Sequence, residues 1–206
     1  MKQSERQERS RREILRAATE EFGTHNYEDV TIDSICSRHG ISKGMMYHYY
    51  SGKDDLFLLC AGEMFQALRE YMEEAIGSAP DQEGLEAIRG LFEARESYFS
   101  TRPLEKNIFE NALFRTPKHL AGKIDALRLP LRELNRRQLH RAVSHMELRE
   151  PLSAESASRY LETIESFFWP LVRQYQGTDG IGNLHSLEDA STALLNMVLF
   201  GVLREK

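Results

Sequence analysis

Cysteine is nearly missing from this 206-residue chain. There are two, Cys36 and Cys60, in no CxxC pair and at no zinc-ligand spacing. That excludes a disulfide-stapled secreted domain and fits a reduced intracellular home. Long apolar runs are missing too: the longest, Ala193 to Leu203, contains Asn196 and is too short to cross a bilayer. The opening MKQSERQERSRREIL is charged throughout, unlike a secretory signal, so a cytoplasmic protein without membrane attachment is expected. Alternating strand patterns, repeats and low-complexity tracts are absent. So are GxSxG and a phosphate-cradling glycine loop after a strand, and no catalytic residue or cofactor is expected. Among His119, His140 and His145, the last two are five apart, off a shared helix face, and lack an acidic ligand, so no metal site is expected. An excess of positive charge is lacking as well. The formal net charge is −5, so any nucleic-acid site must come from a local arrangement.

What is present is helical periodicity almost everywhere, which predicts an all-α protein. A first helix is expected from about Glu5 to Phe22, burying Ile14, Leu15, Ala18 and Phe22 and stopping at Gly23. Its start carries Arg6, Arg9, Arg12 and Arg16 on one side, interleaved with glutamates at salt-bridging distance. Asn26 suits a left-handed loop residue. Thr31 and Ser42 read as N-caps of two short helices, the second running to about Tyr50. A fourth helix follows from Lys53 to about Ile76, with Asp54 and Asp55 where the helix dipole favours them. GSAPDQEG, Gly77 to Gly84, reads as a linker. Further helices follow, with a break or kink expected at Pro130 and a bend at Pro170.

The stretch GISKGMMYHYYSGKDDL, Gly40 to Leu56, holds three tyrosines, a histidine and two lysines with little apolar surface. Cys36, Gly40 and Met46 explain the geometry. A small residue lets two helices cross closely, glycine supplies a positive φ at the turn, and Met46 plugs the shared core with Ile35, Ile41 and Tyr50. This is helix-turn-helix logic. With Met46 and Tyr50 inward, the other side presents Lys43, Gly44, Met45, Tyr47 and His48. Lys43 and Lys53 can neutralise phosphate; Tyr47, His48 and Tyr49 can donate to phosphate oxygens; Thr31 and Ser42 bring hydroxyls and helix N-termini toward an anion.

Phe22, Tyr27, Thr31, Ile35, Gly40, Ile41, Ser42, Gly44, Tyr47, Tyr50, Lys53 and Leu56 together resemble the N-terminal region of TetR-family transcriptional regulators. The resemblance covers about Arg12 to Leu59. It departs from the family pattern at Asn26, Tyr50, Gly52 and Met45. It implies an N-terminal three-helix DNA-binding domain, residues 1–52, and a helical effector-binding and dimerisation domain, 53–206. It further implies phosphate contacts from Thr31, Lys43, Tyr47, His48 and Lys53. Met45 and Tyr49, with Lys43 and Gly44, would meet base edges. The helix has no arginine, so DNA shape is expected to contribute to specificity.

Beyond Leu59 no motif is recognised. The segments Ser153 to Gln176 and Leu187 to Leu203 carry more apolar surface than one helix face hides. The resemblance makes this pair a homodimer interface, so that two heads about 34 Å apart read a pseudo-palindromic double-stranded operator. Phe92, Tyr98, Phe99, Phe109, Phe114 and Trp169 are candidate linings of an effector pocket, although such a stripe also suits an ordinary core. The expected function is a DNA-binding repressor released by a small-molecule effector. The alternative is an all-helical small-molecule-binding protein or enzyme without DNA binding.

Overall fold

The computed structural model describes residues 3–79 and 83–163, and no β-strand occurs among them. The helices are α1 (Gln3–Thr24), α2 (Ile32–His39), α3 (Lys43–Tyr49), α4 (Lys53–Ser78), α5 (Gly84–Ser100), α6 (Pro103–Phe114) and α7 (Ala121–Ser144). A single 3-10 turn, Tyr27–Asp29, lies between α1 and α2, and residues 154–163 are helical again. The chain packs as two compact units. One combines Met1–Tyr71 with Ser97–Leu131, the other Met72–Glu96 with Arg132–Lys206. The first unit therefore extends beyond the expected 1–52 domain.

Local chemistry sets the helix boundaries in the first unit. Thr31 accepts from the Ser34 N–H at 2.9 Å while Ser34 Oγ accepts from the Thr31 N–H at 3.0 Å, a reciprocal cap on α2. Gly40 ends α2 with φ 66°, where a side chain would strain the backbone. Ser42 caps α3 by accepting from the Met45 N–H at 3.1 Å. Ile14, Phe22, Ile35, Met46 and Leu56 are fully buried between these helices, and Cys36, Ile41 and Tyr50 are nearly so. The rings of Phe22, Tyr27 and Phe57 close the base of this core, with centroids 4.9–6.1 Å apart.

Three local expectations are corrected. Gly23 does not stop α1, which runs to Thr24. A Cβ on Gly23 would lie 2.6 Å from Leu104 Cβ, so this glycine serves the close approach of α1 and α6. Asn26 is extended rather than left-handed, at φ −67° and ψ 151°. Of the break or kink expected at Pro130, the break does not occur, since α7 runs through it. Pro130 and Ala126 are both exposed, which leaves the carbonyl deprived of its helical N–H open to water.

In the second unit, Met72, Ile88, Leu91, Leu134, Leu139, Val143 and Leu161 are buried. The expected helix pair for dimerisation, apart from its start at 153–163, lies outside the described residues, as do Pro170 and Trp169.

Candidate nucleic-acid interface

Helix α3 turns one face inward and the other to solvent. Met46 is completely buried and Tyr50 nearly so, whereas Tyr47 is 58% exposed. Ser42, Lys43, Gly44 and His48 are exposed, as is Thr31 at the start of α2; Met45 and Tyr49 are half-buried. The stem of α1 braces this surface. The Tyr50 hydroxyl donates to the Arg11 carbonyl at 3.4 Å, and the Arg11 guanidinium lies 5.5 Å from the Tyr49 ring centroid. The His48 ring packs edge-on against Tyr49 at 4.7 Å. Arginine, tyrosine and histidine thus form one stacked row at the end of α3.

Gly44 is informative because nothing among the described residues needs it. A Cβ there would meet no atom within 4 Å, and its backbone is not left-handed. Glycine in a helix costs up to about 1 kcal/mol relative to alanine. Packing within the described residues gives no reason for that cost; a partner pressed against the backbone would.

The cations behave differently from one another. Lys43 Nζ lies 2.7 Å from Asp33 Oδ1, and this hydrogen bond raises the lysine's pKa. Lys53, expected on phosphate, instead donates to the Tyr27 carbonyl at 2.9 Å and sits 4.1 Å over the Tyr27 ring. Along α1, Arg9 pairs with Glu13 and Arg12 with Glu8. Arg6 and Arg16 are exposed and make no ion pair with a described residue.

Behind the reading face, α6 grips the end of α1. Asn111 is fully buried and donates to the carbonyls of Phe22 at 3.1 Å and His25 at 2.9 Å. Its Oδ1 accepts from the Tyr27 N–H at 3.2 Å. Asn107, one turn earlier, donates to the same two carbonyls. The side-chain amides of α6 therefore satisfy backbone groups that α1 leaves unpaired at its C-terminus. Sequence reading missed this clasp, since two asparagines four apart carry no signal until the partner is known.

Asp54 ties a second point. It accepts from the Tyr27 hydroxyl and lies 2.7 Å from His119 Nε2. The Tyr27 hydrogen bond, then that of His119, holds the Asp54 pKa below its ordinary value, while burial, and after it the same bond, pushes Tyr27 up. A carboxylate with a depressed folded pKa adds stability that is complete above its unfolded value, about 4. That stability is lost as pH falls through the folded value. Asp54→Asn should therefore lower stability at neutral pH and flatten its decline below about pH 4. Urea melts across the acid range measure both effects. His119 thus has a protein partner, and no cluster among the described residues could hold a metal ion.

The aromatic candidates for an effector lining are placed less openly. Tyr98, Phe99 and Phe109 are buried and pack in sequence at centroid distances of 5.1 and 5.0 Å, with Phe65 beyond Phe109. Phe92 stacks under Arg95, and Phe114 is half-buried. In the second unit a cavity of about 420 Å³ is lined by Arg136, Arg137, His140, Ser158 and Arg159, among others. A smaller one, about 60 Å³, lies among Ala75, Ala87, Leu91, Gln138 and Arg141. Neither draws its walls from the candidate aromatics.

Comparison with known proteins meets this geometry at the same segment. The family model for bacterial regulatory proteins of the tetR family matches residues 14–60, which span the second half of α1, the helix-turn-helix and the start of α4. The N-terminal segment is a TetR-family domain. It is 29% identical to the HTH-type transcriptional repressor AcnR of Corynebacterium glutamicum over 88% of this chain and 92% of that one. The TetR-like fold extends along nearly the whole chain. The ketosteroid transcriptional regulator KstR2 of Mycobacterium tuberculosis superposes with a TM-score of 0.63 at 21% identity, covering 95% of each chain. FadR of Bacillus subtilis, solved in complex with stearoyl-CoA, gives 0.66 at 20% identity over 92% of this chain and 97% of that one. No described helix is long and apolar enough to cross a membrane.

Proposed function

We propose that the protein is a transcriptional repressor that binds a pseudo-palindromic operator as a homodimer and releases it when a small molecule binds its C-terminal region. Residues 1–52 read DNA; residues 53–206 sense the effector and dimerise. The observation that carries this reading is the outward face of α3, where Lys43, Gly44, Tyr47 and His48 stand exposed over a buried Met46. Thr31 and Ser42, each at a helix N-terminus, would bring backbone N–H groups to phosphates. Tyr47 and His48 would donate to backbone oxygens, and Met45 and Tyr49 would lie at the groove. Lys53 reaches a phosphate only by leaving the Tyr27 carbonyl, so its first role is to hold the turn before α2.

Two relatives support the repressor and effector parts. AcnR is named a repressor, and FadR was solved in complex with stearoyl-CoA.

The test is a gel shift with the full-length protein and DNA from upstream of its own gene. Binding should weaken steeply with salt, as phosphate neutralisation requires. Gly44→Ala should keep or raise thermal stability while lowering DNA affinity at least tenfold, because the new methyl stands where the backbone would approach DNA. Salt-independent retention, or unchanged affinity in Gly44→Ala, would count against this reading. Sedimentation of the same sample reports the dimer.

A further inference from the structure

Helix α3 carries one permanent cation, and it is already engaged. Lys43 opens α3, Asp33 lies in the first turn of α2, and their charged atoms are 2.7 Å apart. The side chains are 59% and 70% exposed, so the pair stands on the reading face itself, within reach of salt and of a docking phosphate. We propose that Asp33 limits DNA affinity: by holding Lys43 across the helix-turn-helix, it lowers the phosphate-derived part of binding on every sequence and flattens its salt dependence. The proposal rests on the DNA-binding reading above.

The physical basis is an exchange of partners. A free lysine that neutralises a phosphate releases a condensed counterion, which adds about 0.9 to the slope of log K against log salt. Lys43 must instead give up a carboxylate, and that carboxylate then faces the phosphates. The penalty is the same on every sequence. Arbitrary DNA and operator both draw on phosphate neutralisation, so both affinities fall by the same factor and the salt dependence of both is flattened. Operator binding also draws on Tyr47, His48, Tyr49 and groove shape, which the ion pair leaves untouched. Asp33 has a structural use too, since a carboxylate in a first helical turn favours the dipole. That use affects stability, but not the salt slope, and it does not depend on Lys43.

The experiment compares wild type, Asp33→Asn, Lys43→Gln and the double variant as full-length proteins. Fluorescence anisotropy is read from about 50 to about 200 mM salt, where slopes of this kind are measurable. One duplex is selected from a random pool by the wild type; the other is its scrambled counterpart. Asp33→Asn should raise affinity for both duplexes several-fold, steepen both salt slopes by about one and leave the ratio between duplexes unchanged. In the Lys43→Gln background the same change should shift affinity less than twofold. Lys43→Gln alone should alter the slope by well under one unit, a readout that survives even if Asp33→Asn folds poorly. Equal effects of Asp33→Asn in both backgrounds would reveal a general charge effect and overturn the proposal. So would an unchanged salt slope in Asp33→Asn. Failure of the wild type to bind any duplex would instead sink the DNA-binding reading, and this proposal with it.

Discussion

Asn111→Leu should destabilise the protein by about 1–3 kcal/mol, although the substituted side chain has similar size and more apolar surface. The cost lies in what leucine leaves behind. The Tyr27 N–H is buried with Asn111 Oδ1 as its acceptor, and leucine offers it nothing. A buried donor without a partner costs about 1–3 kcal/mol. The carbonyls of Phe22 and His25 also lose a donor, but Asn107 still reaches both at 3.1 and 3.2 Å. Asn107→Ala should accordingly cost about 1 kcal/mol or less, since Asn111 covers the same carbonyls from a more buried position. Urea denaturation of both variants tests the order. Equal effects would mean that the clasp has no preferred member. DNA affinity should fall with stability in Asn111→Leu, because the turn at Tyr27 sets the entry into α2.

Gly23→Ala should cost about 1–3 kcal/mol, in the opposite sense to an ordinary helical glycine, where alanine gains up to about 1 kcal/mol. The added methyl would lie 2.6 Å from Leu104 Cβ and 2.9 Å from both Leu104 Cα and Cδ2. Backbone cannot give way like the end of a long side chain, so α1 and α6 would have to separate. Leu104→Ala removes only the Cδ2 clash and should rescue little. Leu104→Gly removes Cβ as well and should recover more, although the Cα remains close. A double-mutant cycle by thermal or urea unfolding measures the coupling, and additive effects would show that the two helices have room to spare. At Gly44 the same substitution should leave stability unchanged or improve it. Two helical glycines in one unit therefore make opposite predictions, decided only by what surrounds each.

The helix-turn-helix was legible because its determinants are local. Thr31 and Ser42 cap helices through groups three residues away, and Gly40 takes a positive φ that its own missing side chain permits. The inward set of Ile35, Cys36, Ile41, Met46 and Tyr50 follows from helical period alone. Gly23, by contrast, had the local look of a helix stop, and its reason lies 81 positions on, at Leu104. Lys53 stood in a phosphate-binding string, yet its ammonium rests on Tyr27, 26 residues earlier. The candidate rings Tyr98, Phe99 and Phe109 could have lined a pocket or filled a core, because a stripe of aromatics at helical spacing serves either; in the structure they pack on one another.

By itself the sequence determined the all-helical class, the head between α1 and α4 and the residues turned outward on α3, since caps, turns and period act over a few residues. The tertiary structure alone decided that Asp33 holds Lys43, that α6 clasps the end of α1 through Asn107 and Asn111, and that Asp54 joins Tyr27 to His119. Those pairings depend on which distant backbone groups and charges are brought within hydrogen-bond reach, and spacing along a chain carries no record of that.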